Sequence, residues 1–126
     1  MSDENKKKIL IVDDDENLRM VLRDKLSIEG FEVLEAENGK EGLKKAFEIQ
    51  PDIVLLDIMM PVMDGWEMLG KLKKDERGKK IKVMMLTVIE DTGSIARLMQ
   101  DGGSGYVIKT EQSMDSIVDK VKGMLK

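Results

Sequence analysis

The sequence predicts an α/β fold, a doubly wound parallel sheet of five strands with helices on both faces. Short apolar runs, each the length of a buried strand, alternate five times with longer stretches whose apolar residues recur at helical spacing. Several of these runs end directly in a polar or charged residue, which places that residue at the carboxyl edge of the sheet. The chain has 126 residues, the size of one domain with one core.

The first strand and helix come from residues 9–12 and the stretch that follows them. Residues 9–12 are all apolar, as expected for a strand buried on both faces. The residues that predict the helix share one face: Leu18, Val21, Leu22 and Leu26. Gly30 provides a stop, because glycine adopts the left-handed conformation that ends many helices. Residues 32–36 alternate in polarity, which predicts an edge or half-exposed strand.

The second helix and the third strand are separated by Pro51. A turn is predicted at residues 38–39, and the apolar stripe of the helix after it consists of Leu43, Ala46 and Phe47. This helix ends before Pro51, because proline disfavours helical geometry in the residue before it. Residues 53–56 are apolar and lead directly into Asp57, so they predict a buried strand that ends in a carboxylate.

The remaining elements follow the same pattern. Asp64 and Glu67 have the spacing of a capping box and open the third helix. A fourth strand is predicted at residues 83–87, a weaker helix at 91–100 and a short fifth strand at 106–109. The final helix has a clear apolar stripe: Met114, Ile117, Val118, Val121 and Leu125.

Composition excludes several classes of function. The net charge of -4 and the pI of about 5.0 argue against a surface for nucleic acid. The chain has no histidine, which excludes Ser-His catalysis and histidine-ligated metals. It also has no cysteine, which fits a reducing compartment, and we expect a cytoplasmic protein. No apolar stretch approaches the ~18 residues that a membrane helix requires, so no membrane association is expected.

Polar residues at the ends of four predicted strands carry the chemistry. They are Asp13, Asp14, Asp57, Thr87 and Lys109. Because the carboxyl ends of parallel strands share one edge, these side chains can converge there. Crowded carboxylates are stable when they are protonated, paired with lysine or bound to a cation, and oxygen ligands alone select Mg²⁺, Mn²⁺ or Ca²⁺. A metal beside a lysine and a hydroxyl suits a phosphoryl group, although a lone Asp57 could also be a structural turn acid.

The chain resembles the receiver domains of two-component response regulators. Four segments carry the resemblance: residues 11–14, 56–65, 86–87 and 106–109. The second of these, with Asp-Ile-Met-Met-Pro followed by Met-Asp-Gly, is highly specific, and the match extends from about Lys8 to Leu125. The resemblance implies a flavodoxin-like (βα)5 fold with strand order 2-1-3-4-5. It also implies a single receiver domain over residues 1–126, with residues 1–8 as a flexible tail, similar to stand-alone chemotaxis regulators.

The resemblance further implies an aspartyl-phosphate switch. Asp57 would accept a phosphoryl group from a sensor histidine kinase, a histidine phosphotransfer protein or a small phosphodonor. Mg²⁺, or Mn²⁺ in its place, would be held by Asp13, Asp14, Asp57 and the backbone carbonyl of Met59. The domain would catalyse its own phosphorylation and dephosphorylation without being a conventional turnover enzyme.

The switching residues are also implied by the family. Lys109 would pair with a phosphoryl oxygen, and the Thr87 hydroxyl would hydrogen-bond to the phosphoryl group while Tyr106 rotates inward. These movements would reshape the face formed by the fourth helix, the fifth strand and the last helix, and so control a downstream protein target. Tyr106 as an ordinary tyrosine at the edge of the core is the alternative. The expected state is a monomer or a weak dimer that depends on phosphorylation.

Four positions depart from the family pattern. Thr110 replaces the usual proline after Lys109, so we expect a trans peptide bond there. Val88 replaces a small residue, and Ile89 and Met59 are apolar where other members can carry polar groups that orient water. Exclusion of the attacking water predicts slow self-dephosphorylation.

Two other functions compete with the switch. A phosphatase of the haloacid-dehalogenase type would place a second aspartate two residues after the nucleophile, where this chain has Met59. A receiver-like domain that has lost phosphorylation and serves only protein contacts is the other. The intact acids, threonine and lysine argue against it, whereas the missing proline favours it.

Overall fold

The computed structural model describes residues 6–87, 92–109 and 113–125, with the backbone alone at 92–94. Strands and helices alternate along the chain in this order: β1 (Lys8–Val12), α1 (Glu16–Ile28), β2 (Glu32–Ala36), α2 (Gly39–Ile49), β3 (Ile53–Asp57), α3 (Gly65–Lys74), β4 (Lys82–Thr87), α4 (Thr92–Gln100), β5 (Gly105–Ile108) and α5 (Met114–Met124). The strands form one parallel sheet of order β2-β1-β3-β4-β5. The predicted fold class and strand order are both confirmed.

The core lies in two layers, one on each face of the sheet. Alternate residues of the central strands point to opposite faces, so Leu10 and Val54 join the layer beneath α2 and α3. Ile9 and Ile53 join the layer beneath α1 and α5. Every residue of β3 is buried, which explains why its sequence reads as a continuous apolar run. Asp57 is the last residue of this central strand, which is packed on both faces and therefore holds the residue in a fixed position.

Side chains cap the N-termini of α1, α2 and α3, which start at the carboxyl edge of the sheet. The Asp15 carboxylate accepts hydrogen bonds from the first turn of α1, and Asp64 accepts one from the backbone N–H of Glu67 at 2.9 Å. Asn38 caps α2 in the same way, so the turn predicted at residues 38–39 is the start of that helix. Gly30 has a φ of +97°, as predicted for a helix stop. Separate acids therefore cap the helices next to Asp13, Asp14 and Asp57.

Several predicted features fall at boundaries of the described residues. Strand β1 begins at Lys8, the last residue of the predicted tail, and residues 1–5 lie outside the described residues. Val88, Ile89 and Thr110, including the peptide bond between Lys109 and Thr110, also lie outside them. None of the helices in the described part of the chain has the length and hydrophobicity that crossing a membrane requires.

Candidate functional site

The register of the strands brings the predicted residues to one place. Val12 pairs with Leu56, so Asp13 and Asp57 follow at the same level on neighbouring strands. Thr87 pairs with Ile108, which places Lys109 one step beyond that pair. The backbone N–H of Lys109 also donates a 2.7 Å hydrogen bond to the carbonyl of Thr87. These residues are distant in sequence and meet because parallel strands end at a common edge.

The three acids form a tight cluster. Asp13, Asp14 and Asp57 each place one carboxylate oxygen so that all three lie within 4.8 Å of one another. Asp13 is fully buried, Asp57 is 7% exposed, and Asp14 faces solvent. The Lys109 ammonium lies 2.6 Å from Asp13 Oδ2 and 3.3 Å from Asp57 Oδ1. One lysine therefore bridges the two buried carboxylates.

This environment changes the ionisation of Asp57. Burial, together with the charge of Asp13, raises the pKa of Asp57 from 3.8 to about 6, although Lys109 opposes the rise. Burial lowers the pKa of Lys109, but the hydrogen bond to Asp13 and the charges of Asp13 and Asp57 outweigh it, so this pKa lies above its usual value. Lys109 is thus a stable cation, and Asp57 is a carboxylate whose charge is only partly compensated.

The donor set fits a hard divalent cation. Mg²⁺ and similar ions bind carboxylate and carbonyl oxygens, and the cluster supplies three carboxylates from two neighbouring strand ends. The Lys109 ammonium neutralises only part of their charge, so the remaining negative charge favours the binding of a cation. Met59 lies two residues after Asp57, and its side chain is 65% exposed. The role of its carbonyl stays a prediction.

The loop between β3 and α3 folds tightly against the end of the strand. The backbone N–H of Gly65 donates to the carbonyl of Ile58 at 2.8 Å, and a Cβ at Gly65 would lie 2.2 Å from the Asp57 carbonyl oxygen. Only glycine permits this approach. The loop and Asp14 line an open cavity of about 550 Å³ with Trp66 on one side. The loop therefore positions the backbone of Asp57 and borders the acid cluster.

The predicted switch residues lie on β4 and β5, on the side of β3 opposite to β1. Thr87 is 5% exposed, and Tyr106 is half-buried at the edge of the core. Both line a narrow apolar cleft with Ile95 and Leu98 of α4. The Tyr106 carbonyl accepts a 2.6 Å hydrogen bond from the ammonium of Lys120 on α5. The structure thus places both residues between the acid cluster and α4, while rotation of the tyrosine ring stays a prediction.

A contact between α1 and the site is among those that the sequence does not predict. The guanidinium of Arg19, on α1, donates a 2.6 Å hydrogen bond to the backbone carbonyl of Asp13. The sequence shows only a basic residue on an amphipathic helix, which is usually a solvated side chain. The direction in which this side chain reaches depends on how α1 packs against β1 and β2.

Comparisons with known proteins agree with this geometry. A family model described as the response regulator receiver domain matches residues 9–122. The transcriptional regulatory protein LnrK of Bacillus subtilis is 41% identical over an alignment of 120 residues that covers 90% of this chain and 51% of that protein. The chemotaxis response regulator CheY4 of Vibrio cholerae superposes with a TM-score of 0.89 at 26% identity, covering 96% of this chain and 100% of that chain.

A further solved structure is that of the response regulator TrrA of Thermotoga maritima in complex with Mg²⁺-BeF. It has a TM-score of 0.81 at 39% identity and covers 94% of this chain and 99% of that chain. The curated relatives are longer: the first ones matched are spanned by this chain over 41% to 54% of their length.

The chain belongs to the response regulator receiver domain family, which confirms the resemblance read from the sequence. Receiver domains carry out phosphorylation-dependent signalling in two-component systems and interact with histidine kinases, and they are not classical metabolic enzymes.

Proposed function

We propose that Asp57 accepts a phosphoryl group from a histidine kinase, a histidine phosphotransfer protein or a small phosphodonor. The observation that carries the proposal is the meeting of three carboxylate oxygens within 4.8 Å at the edge where Lys109 bridges Asp13 and Asp57. Asp13, Asp14, Asp57 and the Met59 carbonyl would hold Mg²⁺, or Mn²⁺ in its place. The bound ion supplies positive charge that neutralises the phosphoryl oxygens.

The residues of this chain have separate roles in the transfer. A carboxylate oxygen of Asp57 attacks phosphorus, an O–P bond forms, and the bond from phosphorus to the donor breaks with its electron pair leaving on the donor. Lys109, already 3.3 Å from Asp57, pairs with a phosphoryl oxygen. The Thr87 hydroxyl donates a hydrogen bond to another. The buried position of Asp57 limits the access of water to the acyl phosphate.

The switch runs from the phosphoryl group to the face formed by α4, β5 and α5. Thr87 and Tyr106 share a cleft with Ile95 and Leu98, so a movement of the threonine changes the packing beneath α4. A downstream protein reads this face, and the domain is a monomer or a weak phosphorylation-dependent dimer without direct contact to nucleic acid. Residues 1–126 constitute one receiver domain, and the lack of cysteine fits the reducing cytoplasm.

Phosphorylation by acetyl phosphate tests the proposal directly. With Mg²⁺ present, intact-mass measurement should show the addition of one phosphoryl group to the wild type and none to Asp57→Asn. Asp52→Asn is the matched control, because it changes an aspartate at the opposite end of β3 and should be phosphorylated like the wild type. A wild type that takes up neither phosphoryl nor a fluoroberyllate mimic would show that the domain serves protein contacts only.

We also propose slow self-dephosphorylation, because Val88, Ile89 and Met59 offer no polar group to orient water. Loss of phosphoryl from the purified protein, followed after removal of the donor, should take minutes or longer. Met59→Asn should accelerate it, since an amide can hold a water molecule near phosphorus, whereas Met99→Asn, at another exposed methionine, should not. Loss within seconds from the wild type would contradict this part of the proposal.

A further inference from the structure

We propose that Arg19 is a positioning residue for the cation site, holding the backbone between Asp13 and Asp14 so that both acids face the ion. This inference deepens the proposed function and rests on it. It stands on a chain of contacts that begins at β2, passes through α1 and ends at the peptide that joins the two acids.

The arginine is held firmly on both sides. Its side chain is only 13% exposed, and Nη1 donates to the Asp13 carbonyl at 2.6 Å while Nε donates to Glu35 Oε1 at 3.2 Å. Glu35 Oε2 also accepts from Arg23 Nη1 at 3.0 Å, and the Glu35 carbonyl accepts from the Lys45 ammonium at 2.5 Å. The guanidinium fork is rigid, so anchoring one nitrogen on Glu35 fixes the direction in which the other points.

The contact acts on the peptide that links Asp13 to Asp14. The backbone N–H of Asp13 donates to the Ala36 carbonyl at 3.1 Å, and its carboxylate accepts from the Asp15 N–H at 2.9 Å on Oδ1 and from the Lys109 ammonium at 2.6 Å on Oδ2. The carbonyl that Arg19 holds belongs to the same planar peptide as the N–H of Asp14. Rotation of this peptide would swing Asp14, whose side chain faces solvent. By holding the backbone carbonyl of the buried Asp13, Arg19 therefore restricts the orientation of the exposed Asp14.

The effect is one of geometry rather than of charge. Arg19 contacts a carbonyl oxygen, and the negative charge of Glu35 lies beside its guanidinium. Removal of a group that orients metal ligands in this way typically lowers metal affinity by about 10- to 100-fold. A loss of cation affinity without a loss of phosphoryl chemistry at saturating cation is the expected signature.

Isothermal calorimetry with Mg²⁺ alone tests the inference on the purified protein. Arg19→Ala should weaken Mg²⁺ binding by about tenfold or more. Arg23→Ala is the matched control: it removes a second arginine from the same Glu35 carboxylate, one helical turn away, but leaves the Asp13 contact in place. We expect this control to bind Mg²⁺ within about twofold of the wild type, since Glu35 can still anchor Arg19.

Phosphorylation by acetyl phosphate at increasing Mg²⁺ provides a second measurement. Arg19→Ala should raise the Mg²⁺ concentration at half-maximal rate and leave the maximal rate nearly unchanged. Arg19→Lys keeps the charge but can reach only one of the two acceptors, so its affinity should fall between those of the alanine variant and the wild type. It also serves as the test if the alanine variant does not fold.

Equal Mg²⁺ affinity in the wild type and in the Arg19 variants would overturn the inference. So would an equal loss in Arg23→Ala, since that would indicate a general effect of the ion pairs on Glu35. A wild type that does not bind Mg²⁺ would instead refute the proposed function itself, and the two failures are therefore distinguishable.

Discussion

The two ends of β3 carry the same residue type in opposite situations. Asp52, just before the strand, is half-exposed, and its Oδ2 accepts a 2.8 Å hydrogen bond from the backbone N–H of Lys8. Asp57, the last residue of the strand, is buried between the charges of Asp13 and Lys109, and its pKa is raised to about 6. The Asp52 carboxylate is satisfied by a backbone donor, whereas the Asp57 carboxylate, the proposed phosphoryl acceptor, is surrounded by charge that is only partly balanced.

The difference follows from the direction of parallel strands. At the carboxyl edge the chain turns into loops that bring acids from β1 and β3 together, and the apolar strands beneath them hold this unfavourable grouping in place. At the opposite edge, the start of β1 lies beside Asp52 and supplies a backbone donor to its carboxylate. Crowded like charges that are held in place by buried strands are typical of functional sites, and this agrees with the site proposed at the carboxyl edge.

The largest expected effect on stability is at Asp57. Because folding raises its pKa, the folded state holds a proton more tightly than the unfolded chain, and ionisation of Asp57 lowers the free energy of unfolding as the pH rises from about 4 to above about 6. A pKa of 3.8 raised to about 6 corresponds to about 3 kcal/mol at most. Asp57→Asn should be more stable than the wild type at pH 7 without divalent cations, and the difference should shrink towards pH 4.

Urea unfolding of both proteins across this pH range measures the difference. Asp52→Ala is the comparison at the other end of the strand and should lose about 1 kcal/mol, because the Lys8 N–H loses its acceptor. An Asp57→Asn variant that is less stable than the wild type at pH 7 would argue that Asp57 is a satisfied structural acid like Asp52.

A smaller effect is expected where the loop after Asp57 approaches the strand. Gly65→Ala would place a methyl group 2.2 Å from the Asp57 carbonyl oxygen, and we expect a loss of roughly 1–3 kcal/mol in the free energy of unfolding. A Cβ at Gly70, in the same helix, would meet no neighbouring atom within 4 Å outside the helix's own backbone, so Gly70→Ala should stabilise by about 0.5–1 kcal/mol. Equal effects at the two positions would mean that the loop does not press against Asp57.

Most of the fold was predictable because the pattern of apolar residues in each strand indicates how that strand is buried. Strand β3 can be predicted from the apolar run before Asp57, and α5 from its apolar stripe, without information on the elements that pack against them. The acids, Thr87 and Lys109 could be placed at one edge because parallel strands share a direction. The Asn-Gly pair at residues 38–39 predicts a turn, whereas Asn38 caps α2, because the same pair is common in turns and at the start of helices.

What the sequence could not indicate were contacts that depend on packing. The bridge from Lys109 to Asp13, and not only to Asp57, depends on the level at which β1, β3 and β5 end. The reach of Arg19 to the Asp13 carbonyl depends on how α1 lies over the sheet. Both contacts involve long, flexible side chains, whose hydrogen-bond partners depend on the tertiary structure around them.

The most direct test of the central claim is to locate the phosphoryl group on the wild-type protein. Phosphorylation with acetyl phosphate and Mg²⁺, followed by borohydride reduction, converts an aspartyl phosphate to homoserine, which peptide mass spectrometry can assign to one position. We expect homoserine at residue 57 and unmodified aspartate at residues 13, 14 and 52. Homoserine at another aspartate, with Asp57 intact, would contradict it.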